Sequence, residues 1–156
     1  MTVDYLSVLN KKGSGLNTVE YAYLAEEMGK SRLAAEIFNC SAPDTGNMEV
    51  LERVGTPEQK EQWLKPLLNG EIRSAFAMTE PGLPSSDAKN ICTEAVLDGD
   101  EWVISGEKWF TSNGANADFL IVMAITNPDA PLMERASMFL VDRDTPGVEI
   151  VRNVHT

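Results

Sequence analysis

Apolar residues recur at helical spacing in the first part of this chain and at strand spacing in the rest. Tyr21, Leu24, Ala25 and Met28 form one stripe at the three-and-four spacing of a helix face, closed by Gly29. Asn17-Thr18-Val19-Glu20 ahead of it reads as a capping box: Asn17 accepts from a free helical N–H and Glu20 reaches back to the cap. Leu16 and Tyr21 take the hydrophobic-staple positions. Ser31 begins a second candidate helix with Leu33, Ala34, Ile37 and Phe38 on one face. The pattern breaks over 39–46 and resumes with Met48, Val50, Leu51 and Val54 up to Gly55. Thr56-Pro57-Glu58-Gln59 is a second capping box, with proline at the first helical position, where its missing N–H costs nothing. The helix it opens carries Trp63, Leu64 and Leu67, is disturbed by Pro66 and ends at Asn69-Gly70.

From Ile72 the period becomes strand-like. Ala75-Phe76-Ala77-Met78 is an apolar strand cut off by Thr79-Glu80-Pro81-Gly82, because proline cannot donate to a ladder and glycine tolerates turn dihedrals. Strands are expected over 91–97 and 101–105, joined by an Asp98-Gly99-Asp100 hairpin turn, then over 107–111, 119–125, 137–141 and 148–151. Asp144-Thr145-Pro146-Gly147 is a turn, 126–131 a loop, and 1–15 a loop or frayed end. Helices followed by strands give an α+β chain: an N-terminal helical lobe at 1–71, then an antiparallel barrel or sandwich at 72–156.

Composition narrows the function. The chain has 156 residues and a net charge of -11, which argues against a nucleic-acid backbone or an anionic membrane surface as partner. Cys40 and Cys92 form no CxxC pair, and with His155 the single histidine, no metal-ligand cluster is expected. The start lacks the pattern of a signal peptide and no apolar run is long enough to span a bilayer. Asn39-Cys40-Ser41 therefore matches a glycosylation acceptor by accident.

Candidate chemistry collects between Ser74 and Gly114. Thr79 and the serines of Leu83-Pro84-Ser85-Ser86-Asp87 stand at a strand end with hydroxyls and backbone N–H groups, the donors that an anionic or heteroaromatic ligand needs on a rigid sheet. Each has an ordinary explanation too. Thr79 can satisfy a strand end, Trp109 and Phe110 can be core aromatics, and Ser85, Ser86 and Asp87 can form a polar loop or a helix cap.

The joint order of Thr79-Glu80-Pro81, Ser86-Asp87 and Phe110-Thr111-Ser112-Asn113-Gly114 resembles the middle-domain signature of the acyl-CoA dehydrogenase family. These are flavoenzymes that oxidise acyl thioesters between the α and β carbons. The two-serine loop is similar to the subfamily of the vertebrate family members ten and eleven, and the resemblance runs from about Leu16 to the C-terminus. It implies FAD as cofactor, with Met78 and Thr79 at the pyrimidine edge of the ring, Ser112 at its N5/O4 edge, Phe110 flanking it and Phe76 lining the floor of the site. Ser86 would reach the pyrophosphate; the loop is one residue longer than usual, so that role falls to Ser86 or Ser85. Thr111-Ser112 replaces the commoner Ile-Thr, keeping a hydroxyl and losing a methyl. Glu80 has no catalytic role in the family and is expected to be a surface or turn carboxylate.

The resemblance also implies an acyl-CoA substrate, an electron-transfer flavoprotein as electron acceptor, and a homo-oligomer. The location would be cytoplasmic in a bacterium, mitochondrial or peroxisomal in a eukaryote. The family's catalytic carboxylate lies in a C-terminal helical domain, so the chain is expected to be a fragment without that bundle, inactive alone. Two alternatives stand beside this reading: a non-catalytic interaction module without flavin, and a piece of an acyl-CoA oxidase or nitroalkane oxidase.

Overall fold

The computed structural model describes residues 15–154, so the expectations for 1–14 and for His155 lie outside the described residues. The chain divides into two compact units, 1–72 and 73–156.

In the helical unit the local signals are realised. Helix α1 (Thr18–Met28) opens on the expected capping box: Asn17 Oδ1 accepts from the N–H of Val19 and Glu20 at 3.0 Å each, and Glu20 accepts from the Asn17 N–H at 2.9 Å. Its stripe is not buried within the described unit, with Leu24 46% exposed; the spacing makes a face but does not supply its cover. Helix α2 (Ala34–Ile37) is shorter than expected and buries Ala34 alone, leaving Leu33, Ile37 and Phe38 exposed. Helix α3 (Asp44–Val54) starts earlier than the pattern suggests, because Gly46 sits in its first turn without breaking it and Asp44 complements the N-terminal dipole.

The Thr56 box closes as expected and leads into a continuous helical run over 57–68: α4 (Pro57–Gln59), a π-helical stretch (Lys60–Leu64), and α5 (Lys65–Leu68). The widened turns stand directly before Pro66, which has no N–H to donate and whose ring presses on the preceding turn. Met48 and Leu51 of α3, with Leu64 and Leu67, are the buried centre of this unit. Asn39 donates its side-chain amide to the carbonyls of Leu67 (3.0 Å) and Leu68 (3.1 Å), terminating α5.

The second unit is a five-stranded sheet of β1 (Ser74–Ala77), β2 (Glu94–Asp98), β3 (Glu101–Ser105), β4 (Phe119–Ile125) and β5 (Ala136–Asp142). Helices followed by a sheet confirm the α+β order. The sheet is mixed, however. The expected antiparallel pairing accounts for β2–β3 and β4–β5, whereas β1 runs parallel to β4 from Ser74↔Phe119 to Ala77↔Val122, and β2 meets β4 in parallel at Glu94↔Ile125. Strand β4 is central: β5 covers one edge along its length, and β1 and then β2 share the other. Its sequence Phe-Leu-Ile-Val-Met-Ala-Ile does not alternate, as befits a strand covered on both faces; Phe119, Leu120, Ile121 and Ala124 are buried.

Three expected strand boundaries change. The strand after the Ser85-Ser86 loop begins at Glu94 rather than Ile91. Residues 107–111 are not a strand, because Phe110 adopts a left-handed φ of 48° that no ladder accommodates. Residues 148–151 carry β-branched side chains but no ladder, and propensity without a partner edge makes no strand.

Candidate functional site

Two turns stand side by side at the end of β1, one closed and one open. The closed turn begins where Thr79-Glu80-Pro81-Gly82 ends the strand. Gly82 takes φ 75°, which turns the chain back so that Ser85 folds under it. Ser85 is 1% exposed, and its hydroxyl oxygen accepts from the Glu80 N–H at 2.5 Å and lies 3.2 Å from Glu80 O and 3.3 Å from Leu83 O. Asp87 caps the short 3-10 turn Ala88–Asn90 by accepting from the Lys89 N–H at 3.1 Å, as the cap reading of this loop anticipated.

Glu80 is the centre of the closed turn. Its side chain is 5% exposed, so of the two expectations, a surface or a turn carboxylate, the surface one is corrected and the turn position holds. Oε2 accepts from the Cys92 N–H at 2.6 Å; Oε1 accepts from the Thr93 N–H at 2.9 Å and from Lys108 Nζ at 2.7 Å. Burial alone would raise its pKa, but Lys108, Thr93 and Cys92 together outweigh burial and bring it down to about 2. Lys108 is itself 12% exposed; burial lowers its pKa while Glu80 acts in the opposite direction. Sequence reasoning passed over this pair because its members are 28 residues apart. The available signal was Lys108 itself, a lone cation beside Trp109 and Phe110.

The open turn starts beside it. Trp109 donates its N–H to Thr79 O at 3.0 Å, and the Thr79 hydroxyl donates to Trp109 O at 2.5 Å. This double link holds the strand end against the segment that carries Phe110, Thr111 and Ser112. Phe110 is 54% exposed, with its ring 4.8 Å from that of Trp109 and inclined by 55°. Its positive φ is a strained conformation for an aromatic residue, of the kind that persists where the surroundings over-determine it. Two bonds supply those surroundings: Asn113 (φ 63°) donates its side-chain amide to Ser74 O at 3.1 Å, and Gly114 N–H donates to Thr111 O at 3.0 Å.

The expected site residues therefore fall into three groups. Thr79 is tied through the Thr79–Trp109 link to the segment that carries Phe110, Thr111 and Ser112, with Met78 adjoining it; the Met78 carbonyl accepts from Lys108 Nζ at 2.9 Å. Phe76 lies two residues earlier on β1, half-buried, in register with Ile121. In the loop, Ser85 is buried and occupied with the backbone, whereas Ser86 is exposed. Chemically, the edge offers hydroxyls, an exposed aromatic face and a rigid backing, which suits a planar heteroaromatic ligand carrying polar edges.

Comparison with known proteins places this edge in context. Residues 75–156 match the family description "Acyl-CoA dehydrogenase, middle domain" and residues 10–71 match "Acyl-CoA dehydrogenase, N-terminal domain". The chain is 57% identical over 143 residues to a probable acyl-CoA dehydrogenase, FadE2, of Mycobacterium tuberculosis, covering 90% of this chain and 35% of that protein. It is 53% identical to acyl-CoA dehydrogenase family member 10 of Mus musculus over 91% of this chain and 14% of that protein. Among solved structures, a putative acyl-CoA dehydrogenase from Mycobacterium abscessus superposes with TM-score 0.90 at 49% identity, over 97% of this chain and 38% of that one. A glutaryl-CoA dehydrogenase from Mycobacterium smegmatis, solved in complex with FADH2, superposes with TM-score 0.66 at 30% identity, over 87% of this chain and 33% of that one. The chain thus spans less than two fifths of the length of each of these proteins.

Proposed function

This chain belongs to the acyl-CoA dehydrogenase family, and from that premise we propose that it forms the flavin-facing part of an enzyme that desaturates acyl-CoA thioesters between the α and β carbons. The observation that carries the reading is the Thr79–Trp109 link, which sets a hydroxyl-bearing strand end beside the exposed Phe110 and Ser112. The similarity to a protein solved with FADH2 supports FAD as the cofactor. FAD, when bound, supplies the two-electron acceptor of the reaction.

The residues present fit that group. The Thr79 hydroxyl commits its proton to Trp109 O and keeps lone pairs for a ring N–H at the pyrimidine edge. Ser112, exposed on the open turn, is a donor for the opposite edge of the ring, and Phe110 offers the wall that covers it. Phe76 takes the floor and Thr111 the side of the turn. Of the two loop serines, Ser86 is the one free to turn outward to a pyrophosphate, since Ser85 is occupied within the closed turn.

Glu80 does not serve as the base that removes the α-proton. Its oxygens are occupied by two N–H groups and an ammonium, and a carboxylate held near 2 has little drive to take a proton at neutral pH. We assign that step to a carboxylate in the part of the family protein that this chain does not span. The electrons would then leave to an electron-transfer flavoprotein, in an oligomeric enzyme of the bacterial cytoplasm or of a mitochondrion or peroxisome. Among the described residues no helix is long and apolar enough to cross a membrane.

Mixing the 156-residue chain with FAD, removing free cofactor by gel filtration and recording the visible spectrum tests the proposal. Flavin bands that travel with the protein are expected. A colourless protein, whose tryptophan fluorescence also ignores added FAD, would sink the reading and favour a non-catalytic module.

A further inference from the structure

We propose that Glu80 and Lys108 are positioning residues: their buried pair sets the register of the Met78-Thr79 edge against the Trp109–Ser112 turn. The inference rests on the flavin-facing reading of that edge. Lys108 Nζ donates to Met78 O at 2.9 Å and to Glu80 Oε1 at 2.7 Å, so one ammonium grips the chain on both sides of Thr79. The next residue after Lys108 is Trp109, which exchanges two hydrogen bonds with Thr79. Any displacement of Lys108 therefore passes within one residue into the link that brings the two halves of the site together.

Glu80 is in turn held from behind by the N–H groups of Cys92 and Thr93, on the segment entering β2. Three of the partners of this pair are thus main-chain atoms, and main-chain atoms define register. The exposed Lys30–Glu27 pair is of a different kind: at 65% and 68% side-chain exposure it joins residues three apart at the end of α1 and fixes nothing at a distance. At 5% and 12% exposure, Glu80 and Lys108 lie below the open surface and act on a ligand only through Thr79 and Trp109.

The experiment compares the full chain with Glu80→Gln, Lys108→Met and Lys108→Arg, and with Phe139→Leu as a control. Phe139 stacks edge-on with Trp102, their rings 5.4 Å apart, and has no part in the proposed edge. FAD affinity is measured by fluorescence titration, and exchange of the Trp109 amide by NMR. Glu80→Gln and Lys108→Met are expected to weaken FAD binding roughly tenfold or more and to speed Trp109 amide exchange by a larger factor than the β4–β5 amides, which follow the loss of global stability. Lys108→Arg should recover most of the affinity, and Phe139→Leu should stay within about twofold of the parent.

Parental affinity in both Glu80→Gln and Lys108→Met overturns the inference. So does an affinity loss that follows melting temperature alike in all four variants, because that pattern belongs to a purely structural pair. If the parent chain itself ignores FAD, the proposed function fails instead, and the exchange data alone decide. Acceleration at Trp109 and its neighbours in excess of that of the β4–β5 amides upholds the positioning role; equal acceleration over the whole sheet overturns it.

Discussion

The Glu80–Ser85 turn and the Phe110–Ser112 turn adjoin the same strand end, and they handle polar groups in opposite ways. In the first, a carboxylate, an ammonium and a hydroxyl are all buried and all paired inside the protein. In the second, an aromatic ring and a hydroxyl are left at the surface, on a backbone held in a strained conformation. Such asymmetry is how a site stays rigid and receptive together: one side is over-determined so that the other can be left unsatisfied for a ligand. Changes in the closed turn should register in stability and, through the Thr79–Trp109 link, in binding, whereas changes in the open turn should register in binding alone.

Lys108→Met should do most to break that contrast. It leaves Glu80 buried without its counter-ion, and urea unfolding should report a loss of about 3–5 kcal/mol. Acid should reach the same group. The folded pKa of Glu80 lies below its ordinary value of 4.5, at about 2, so its contribution is fully present above pH 4.5 and is lost as the pH falls through the interval down to 2. That amounts to about 3 kcal/mol, and the unfolding free energy of Glu80→Gln measured from pH 6 to pH 2, a range of roughly four units, should be correspondingly flatter than that of the parent.

Ser85→Ala removes the acceptor of the buried Glu80 N–H and should cost about 1–3 kcal/mol, read from the shift in the urea midpoint. Gly106→Ala sharpens the boundary of the closed region. A Cβ there would stand 2.3 Å from Thr93 Oγ1, and thermal unfolding should show a loss of about 1–3 kcal/mol. At the open turn, Ser112→Ala should alter stability by no more than about 0.5 kcal/mol while weakening FAD retention on gel filtration. A Ser112→Ala chain that unfolds early but keeps its flavin would reverse the assignment of the two turns.

What the sequence revealed about this arrangement depended on distance along the chain. The capping boxes at Asn17/Glu20 and Thr56/Gln59 are complete within four residues, and both form as read. The hairpin around Gly99 is equally local and pairs as expected, from Glu94↔Ser105 to Asp98↔Glu101. Burial was less legible. The stripe on α1 names a face that needs cover, yet Tyr21, Leu24, Ala25 and Met28 find no full cover within the described unit.

Strand direction was hidden until the unbroken apolar run at Phe119–Ile125 was seen to need neighbours on both edges and cover on both faces. The strand expected at 107–111 does not form, and side-chain pattern carries no information about the sign of φ at Phe110 that prevents it. Motif order brought Thr79 and Ser112 into one hypothesis. It did not distinguish Ser85 from Ser86, since that choice is made by which hydroxyl the backbone captures.

Lys108 grips residue 78 by its carbonyl, and Glu80 grips residues 92 and 93 by their N–H groups. Anchors of this sort are blind to side-chain identity. Residue 78 is therefore free to change size, trimming or widening whatever lies against it, while the clamp stays shut. At 92 and 93 proline is barred for want of the hydrogen it would have to give, and at 93 the buried side chain packed against Gly106 is held as well. The framework can stay constant while the side chain carried at residue 78 changes, without any loosening of the anchor.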